Sequence, residues 1–212
     1  MKAISLFSGG KDSFLSALIA MEQGHDIIAT VTVQPHEDSM MFHFPNHIHA
    51  GAVADLLGLR NIIISEDTFR EEIEIIVRET KAEALISGAI ASNYQKTRIE
   101  RMCTEMGIVS ITPLWLMDQE RELNSVISSG IRAILVSVSA DGLGKEYLGR
   151  AIDHELISDL LMLKDKHRIN ISGEGGEYES FVISYLDSDI SVKSYRDAWN
   201  GSTGYRELYL SK

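Results

Sequence analysis

The sequence predicts an α/β fold, a doubly wound parallel sheet followed by a smaller C-terminal α+β domain. Three observations predict it. Short apolar runs of strand length alternate with helical patterns through the first half of the 212-residue chain. A glycine turn joins the first run directly to a helix, the connection expected at the carboxyl end of a parallel strand. After Trp115 the alternation stops, and longer β-rich segments take over. That shift places a domain boundary near residue 120, giving domains 1–120 and 121–212.

Taken in order, Ala3 to Phe7 reads as a buried strand, and Phe14, Leu15, Leu18 and Ile19 mark the helix after it. Ile27 to Val33 is the second strand. Asn46 can cap a helix from His47 to Leu57, stopped by Gly58. Asn61 to Ile64 is the third strand. Thr68 can cap a helix with Phe69, Ile73, Ile76 and Val77 on one face. Ala84 to Ser87 is the fourth strand, and a helix starting at Ser92 or Asn93 runs to Met106. Beyond the boundary, Asp118 to Ser129 reads as a helix and Ile131 to Ser139 as a long β-rich run. Gly142 and Gly144 mark a turn, and Ile152, Leu156, Leu160 and Leu163 recur at helical spacing. The end of the chain offers one candidate strand, Glu207 to Leu210.

Composition narrows the function. Thirty-one acidic and 20 basic side chains give a net charge of −11, which argues against broad nucleic-acid binding. The one basic cluster is Lys96, Arg98 and Arg101 on a single predicted helix. The single cysteine, Cys103, excludes a disulfide framework and a Cys-rich zinc site, and fits a reducing cytoplasm. No apolar run reaches membrane-spanning length, and the first is interrupted too early for a signal peptide. His36, His43, His47 and His49 cluster in sequence without an established ligand spacing. Asp38 to Pro45 is expected to form a loop that folds over a nucleotide.

The most informative string is Ser8-Gly9-Gly10-Lys11-Asp12-Ser13. Two glycines allow close approach of a ligand, and the following amides open a helix whose dipole favours an anion. Ser8 and Ser13 add hydroxyls, and Lys11 adds a positive charge. Asp12 would repel a bare phosphate, so a divalent cation is expected with it. The string is not a Walker A loop, since Ser5 stands where that motif needs glycine. It resembles the PP-loop of the ATP pyrophosphatases, which cleave ATP between the α- and β-phosphates.

A second anomaly is Gly173-Glu174-Gly175-Gly176-Glu177-Tyr178-Glu179. By composition alone it reads as a solvated acidic hairpin turn. Paired with the first string, it resembles the diphthine–ammonia ligase family. Met41-Phe42-His43, Ser87-Gly88-Ala89-Ile90, Asn93-Tyr94-Gln95, Pro113-Leu114-Trp115, Gly142-Leu143 and Leu148-Gly149 stand in that family's order. Asn93 stands where the family usually has Asp, and Ser180 where it usually has Thr.

The resemblance implies ATP-dependent amidation of diphthine on elongation factor 2 by ammonium, with ATP and Mg2+ bound. Ser8, Gly9, Gly10, Lys11, Asp12, Ser13, Ser87 and Gly88 are expected to hold the nucleotide, and Asp12 the metal. Lys11, Asp12, Glu174, Glu177 and Glu179 are the expected catalytic set. Tyr94, Gln95, Trp115 and Tyr178 are expected to bind substrate, one of the three rings facing the trimethylammonium group of diphthine. Lys11 and Asp12 are expected in an exposed turn, and the Gly-Glu string is expected beside them. Free ammonium is the expected nitrogen source, because no cysteine nucleophile sits with a plausible histidine. The partner set contains no nucleic acid and no membrane, and the expected location is cytoplasmic. The alternatives are a tRNA-modifying PP-loop enzyme and a non-catalytic ATP-binding module.

Overall fold

A computed structural model describes residues 1–34 and 46–211. The chain divides into two compact units, Met1–Leu116 and Met117–Lys212.

The first unit is built on a five-stranded parallel sheet. Its strands are β1 (Lys2–Leu6), β2 (Asp26–Gln34), β3 (Asn61–Ser65), β4 (Ala84–Ile86) and β5 (Val109–Ile111), in the order β3-β2-β1-β4-β5. β1 lies at the centre, and every pairing is parallel. From β1 the chain builds outward to β2 and β3, then returns to the other side of β1 for β4 and β5. The reversal makes the β1/β4 edge a topological switch point, where doubly wound sheets open a crevice at the strand carboxyl ends.

The helices α1 (Lys11–Glu22), α2 (Ala50–Asp55), α3 (Phe69–Thr80) and α4 (Asn93–Met106) join the strands. On one layer of core, Ile4, Val31, Ile64 and Leu85 of the sheet meet Ile73 of α3 and Met102 of α4. Two sequence expectations are corrected here. β5 escaped the pattern because it is three residues long and only partly buried. The helix expected over 47–57 is a 3-10 turn, Asn46–His49, followed by the short α2. Asn46 therefore begins a tighter turn rather than capping an α-helix.

The second unit carries an antiparallel sheet ordered β8-β7-β6-β10-β9. Its elements are α5 (Gln119–Ser128), β6 (Ile131–Val138), α6 (His154–His167), β7 (Tyr178–Tyr185), β8 (Ser188–Asp189), β9 (Val192–Trp199) and β10 (Gly204–Leu210). Asp118 caps α5 through the Arg121 amide at 3.0 Å, and Asp153 caps α6 through the Leu156 amide at 2.8 Å. The single strand expected at Glu207–Leu210 is the end of a full β9–β10 hairpin. Its turn is closed by the Asn200 carboxamide oxygen, which accepts from the Ser202 and Thr203 amides. β9 was invisible as a strand because it is an exposed edge, with no apolar alternation to betray it.

Candidate functional site

The serine–glycine turn leaves the carboxyl end of β1 and enters α1. Gly9 sits at φ +81°, a conformation that costs glycine nothing. Gly10 is the extended N-cap of α1, and offers no side chain to the orphan amides of the first helical turn. The turn is braced by its own hydroxyls. Ser13 Oγ donates to the Gly10 carbonyl at 2.9 Å and lies 3.3 Å from both the amide nitrogen and the Oγ of Ser8. The Gly10 amide donates to Ser8 Oγ at 3.3 Å. Ser13 is thus buried and shapes the turn, whereas Ser8 is exposed.

Lys11 corrects one expectation. It does not lie in an exposed turn, for only 1% of its surface is accessible. Its ammonium pairs with Asp12 Oδ1 at 2.6 Å, and the Asp12 side chain remains one-third exposed. A cation with a buried stem and a solvent-reaching carboxylate therefore stand together at the positive end of a helix.

The loop after β4 reaches the same place. A side chain on Gly88 would bring its Cβ within 3.0 Å of the Asp12 carbonyl carbon and the Ser13 amide nitrogen. Only glycine lets this loop lie against the start of α1. Beside it, Ser87 is buried at 2% exposure, and its hydroxyl has no hydrogen-bond partner among the described residues. A buried hydroxyl of that kind is costly unless something else satisfies it. The two loops together form a cradle at the switch point.

Next to this cradle, Ser92 caps α4 by accepting from the Gln95 amide at 3.4 Å. Tyr94 is 61% exposed, and its hydroxyl accepts from Arg98 at 3.3 Å. The Leu116 amide donates to the Ile90 carbonyl at 2.8 Å, which ties the Pro113-Leu114-Trp115 segment to the β4–α4 loop. Trp115 is half-buried and carries the Lys96 ammonium over its ring at 4.9 Å. The basic cluster is largely internally paired. Lys96 meets Glu100, and Arg101 and Arg70 both bind Glu105. Those two guanidinium groups, Arg101 foremost, hold the Glu105 carboxyl below its usual range.

In the second unit the Gly-Glu string forms the turn before β7. Glu177 stands inside it. Its Oε1 accepts from the backbone and the side-chain nitrogens of Asn170, both at 2.9 Å, and its Oε2 accepts from the Gly175 amide at 2.8 Å. A carboxylate receiving three N–H groups braces the turn from inside. Tyr178 is buried at 3% exposure, where an exposed ring was expected, and donates its hydroxyl to the Ile171 carbonyl at 2.7 Å. Glu177 precedes β7 and Glu179 lies within it, so the two do not share a strand face. Glu174 and Glu179 are half-buried.

Of the histidines, His36 and His43 lie outside the described residues, as does the expected Asp38–Pro45 loop. His47 is buried at 6% exposure, and burial, with His49 nearby, pushes its imidazole below the ordinary value. No group of three or more metal-ligating side chains occurs among the described residues.

Comparison with known proteins decides the family. The diphthamide synthase N-terminal domain matches residues 1–110, and the diphthamide synthase C-terminal domain matches residues 118–211. The chain belongs to the diphthamide synthase family. A diphthine–ammonia ligase of Schizosaccharomyces pombe is 33% identical over 208 residues, covering 86% of this chain and 34% of that protein. The Danio rerio and Homo sapiens proteins of the same name are each 31% identical over 86% of this chain, with 82% and 79% of their own lengths covered. The chain thus spans about a third of the fission-yeast protein and about four-fifths of the two vertebrate ones. It is a member of a ligase family that forms carbon–nitrogen bonds.

Proposed function

We propose that this chain catalyses the last step of diphthamide synthesis, with the β1–α1 turn and the β4–α4 loop as its ATP site. The observation that carries the reading is the cradle at the switch point. A glycine N-cap, a buried lysine and a buried hydroxyl without a partner among the described residues converge there. The triphosphate lies along Ser8, Gly9 and Gly10 and meets the amides that open α1. Ser87 and Gly88 border the nucleotide on the other side.

Asp12 suits a magnesium ion, which usually takes one or two carboxylates and completes its shell with phosphate oxygens and water. When bound, the ion neutralises charge on the leaving pyrophosphate. Asp12 would hold a magnesium ion bound there, and Lys11 would face the phosphates. The diphthine carboxylate of elongation factor 2 attacks the α-phosphorus, and the bond to the β-phosphate oxygen breaks. Pyrophosphate leaves, stabilised by Lys11 and the loop amides. Ammonia attacks the resulting acyl-adenylate carbon, loses a proton and expels AMP. Tyr94, Gln95 and Trp115 of the first unit are the proposed substrate-binding residues, and Glu174 and Glu179 of the second are proposed catalytic carboxylates.

Sulfur-transfer chemistry on tRNA is disfavoured by Cys103. Burial pushes its thiol up to about 11, with Ser110 opposing and Glu100 adding to the shift. A buried, protonated thiol is a poor sulfur carrier. Nucleic acid and membrane are absent from the proposed partners, and the proposed location is the cytoplasm, where a lone thiol stays reduced. The test is direct. The protein is incubated with ATP, magnesium, ammonium and diphthine-bearing elongation factor 2, and the factor is weighed. Conversion of the carboxylate to the amide, with AMP and pyrophosphate released, is expected. AMP formation without a mass change in the factor would refute the substrate assignment.

A further inference from the structure

The Gly-Glu turn contains more structure than its sequence suggests, and most of it is held from outside the string. Gln119, the first residue of α5, reaches across to residues 170 and 171. Its Nε2 donates to Asn170 Oδ1 at 3.0 Å, and its Oε1 accepts from the Ile171 amide at 3.0 Å. Asn170 in turn donates twice to Glu177, and Glu177 receives the Gly175 amide. The result is a continuous relay, Gln119 to Asn170 to Glu177 to Gly175. Two further bonds lock the ends, with the Gly176 amide donating to the Gly173 carbonyl at 3.0 Å and the Ser139 amide to the Glu177 carbonyl at 2.9 Å.

The glycines fit this reading. A Cβ at Gly175 would lie 2.6 Å from Glu177 Oε1 and 2.8 Å from Asn170 Nδ2. A Cβ at Gly173 would lie 2.9 Å from the Tyr178 carbonyl oxygen. Gly173, Gly175, Glu177 and Tyr178 are therefore accounted for by the shape of the turn. The bond from the Gly176 amide to the Gly173 carbonyl closes the turn around Glu174 and Gly175.

We propose that Gln119 and Asn170 are positioning residues that act through Glu177 to fix the turn presenting Glu174 to the substrate. The proposal rests on the functional reading above. Glu177 is on this account a brace and exchanges no proton with substrate.

The experiment uses the whole chain with ATP, magnesium, ammonium and diphthine-bearing elongation factor 2. Gln119→Ala, Asn170→Ala and Glu177→Gln are compared for kcat, KM for ATP, the pH dependence of kcat and melting temperature. Misplacing a reacting group by an ångström costs on the order of 100-fold, so a kcat loss of about that size is expected. KM for ATP and the shape of the pH profile should stay as in wild type. The Gln119→Ala/Asn170→Ala pair should lose little more than the worse single variant, as linked residues do. If Gln119→Ala fails to fold, Gln119→Glu serves, since it keeps the acceptor for Ile171 and loses the donor to Asn170. Folded Gln119 and Asn170 variants with wild-type kcat would overturn the proposal. So would loss of one limb of the pH profile in Glu177→Gln, which would make that carboxylate an acid or base. Failure of the underlying reading looks different, because wild-type protein would then convert no diphthine.

Discussion

The two glycine-rich turns share composition and differ in what fills them. In the β1–α1 string the carboxylate, Asp12, pairs with the Lys11 ammonium at 2.6 Å. Its amides and glycines stand at the head of a helix, braced by Ser8 and Ser13 at 2.9 to 3.3 Å. The turn before β7 encloses its own anion, Glu177, on three N–H donors. On the proposed reading the first receives negative charge from outside, whereas the second already holds Glu177. Glycine–carboxylate density alone therefore does not identify a metal or phosphate site. What separates the two is whether the chain supplies the acceptor.

The largest way to break that contrast is at Lys11. Lys11→Met keeps most of the buried stem and removes the charge. A rate loss of several hundredfold in ATP cleavage is expected, given that such contacts are worth about 3 kcal/mol in other enzymes. Lys11→Ala should in addition lower the melting temperature, because it empties a fully buried position. Turnover near wild type in Lys11→Met would remove the nucleotide assignment.

Gly88→Ala tests the close approach of the second loop. Its Cβ would press on backbone at 3.0 Å, where no side chain can swing aside. Overpacking of this kind costs roughly 1–3 kcal/mol, and the loss should appear both in thermal stability and in ATP affinity measured by calorimetry. Unchanged ATP affinity would detach the β4–α4 loop from the site.

A smaller effect sharpens the account of the second turn. Gly175→Ala should disturb it by displacing Glu177 and Asn170. Gly176→Ala meets nothing within 4 Å and suffers only from its φ of +81°. The expected cost at Gly176 is about 1–2 kcal/mol, from the left-handed backbone alone. Chemical denaturation of both variants gives the comparison. A Gly175→Ala variant as stable and active as wild type would mean that the brace is dispensable.

The smallest effects are in pH. His47 binds protons less readily in the fold than in the unfolded chain, mainly because it is buried. Its contribution to stability is therefore present above about pH 6.5, the ordinary histidine value, and lost as pH falls below it. Cys103 runs the other way. Its thiolate is disfavoured only in the fold, so stability declines as pH rises from the ordinary thiol range towards about 11. Denaturant titrations across pH 5 to 10 should show both slopes, and His47→Asn and Cys103→Ala should each remove one.

The nucleotide turn was legible because its meaning is local. A strand, two glycines, a lysine and a helix start lie within eleven residues, and backbone geometry fixes what they do. The parallel sheet was legible for a similar reason, since strands buried on both faces are largely apolar, as β1 and β2 are apart from the buried Ser5, Thr30 and Thr32. The Gly-Glu turn was misread in part because its partners are distant. Gln119 lies 51 residues from Asn170, and nothing in the string announces that Glu177 will be used internally. Lys11 was misplaced for the same reason, as no sequence rule distinguishes an exposed lysine from one whose stem is buried.

The sequence by itself determined the family, the alternation that builds the sheet and the glycine turn that opens α1. These depend on residue type at fixed short spacing, which chain geometry converts directly into structure. The tertiary structure alone decided which polar groups are consumed in holding the fold. That division is set by burial and hydrogen-bond partners brought together from far along the chain. It commits Glu177 to Asn170 and the Tyr178 hydroxyl to the Ile171 carbonyl.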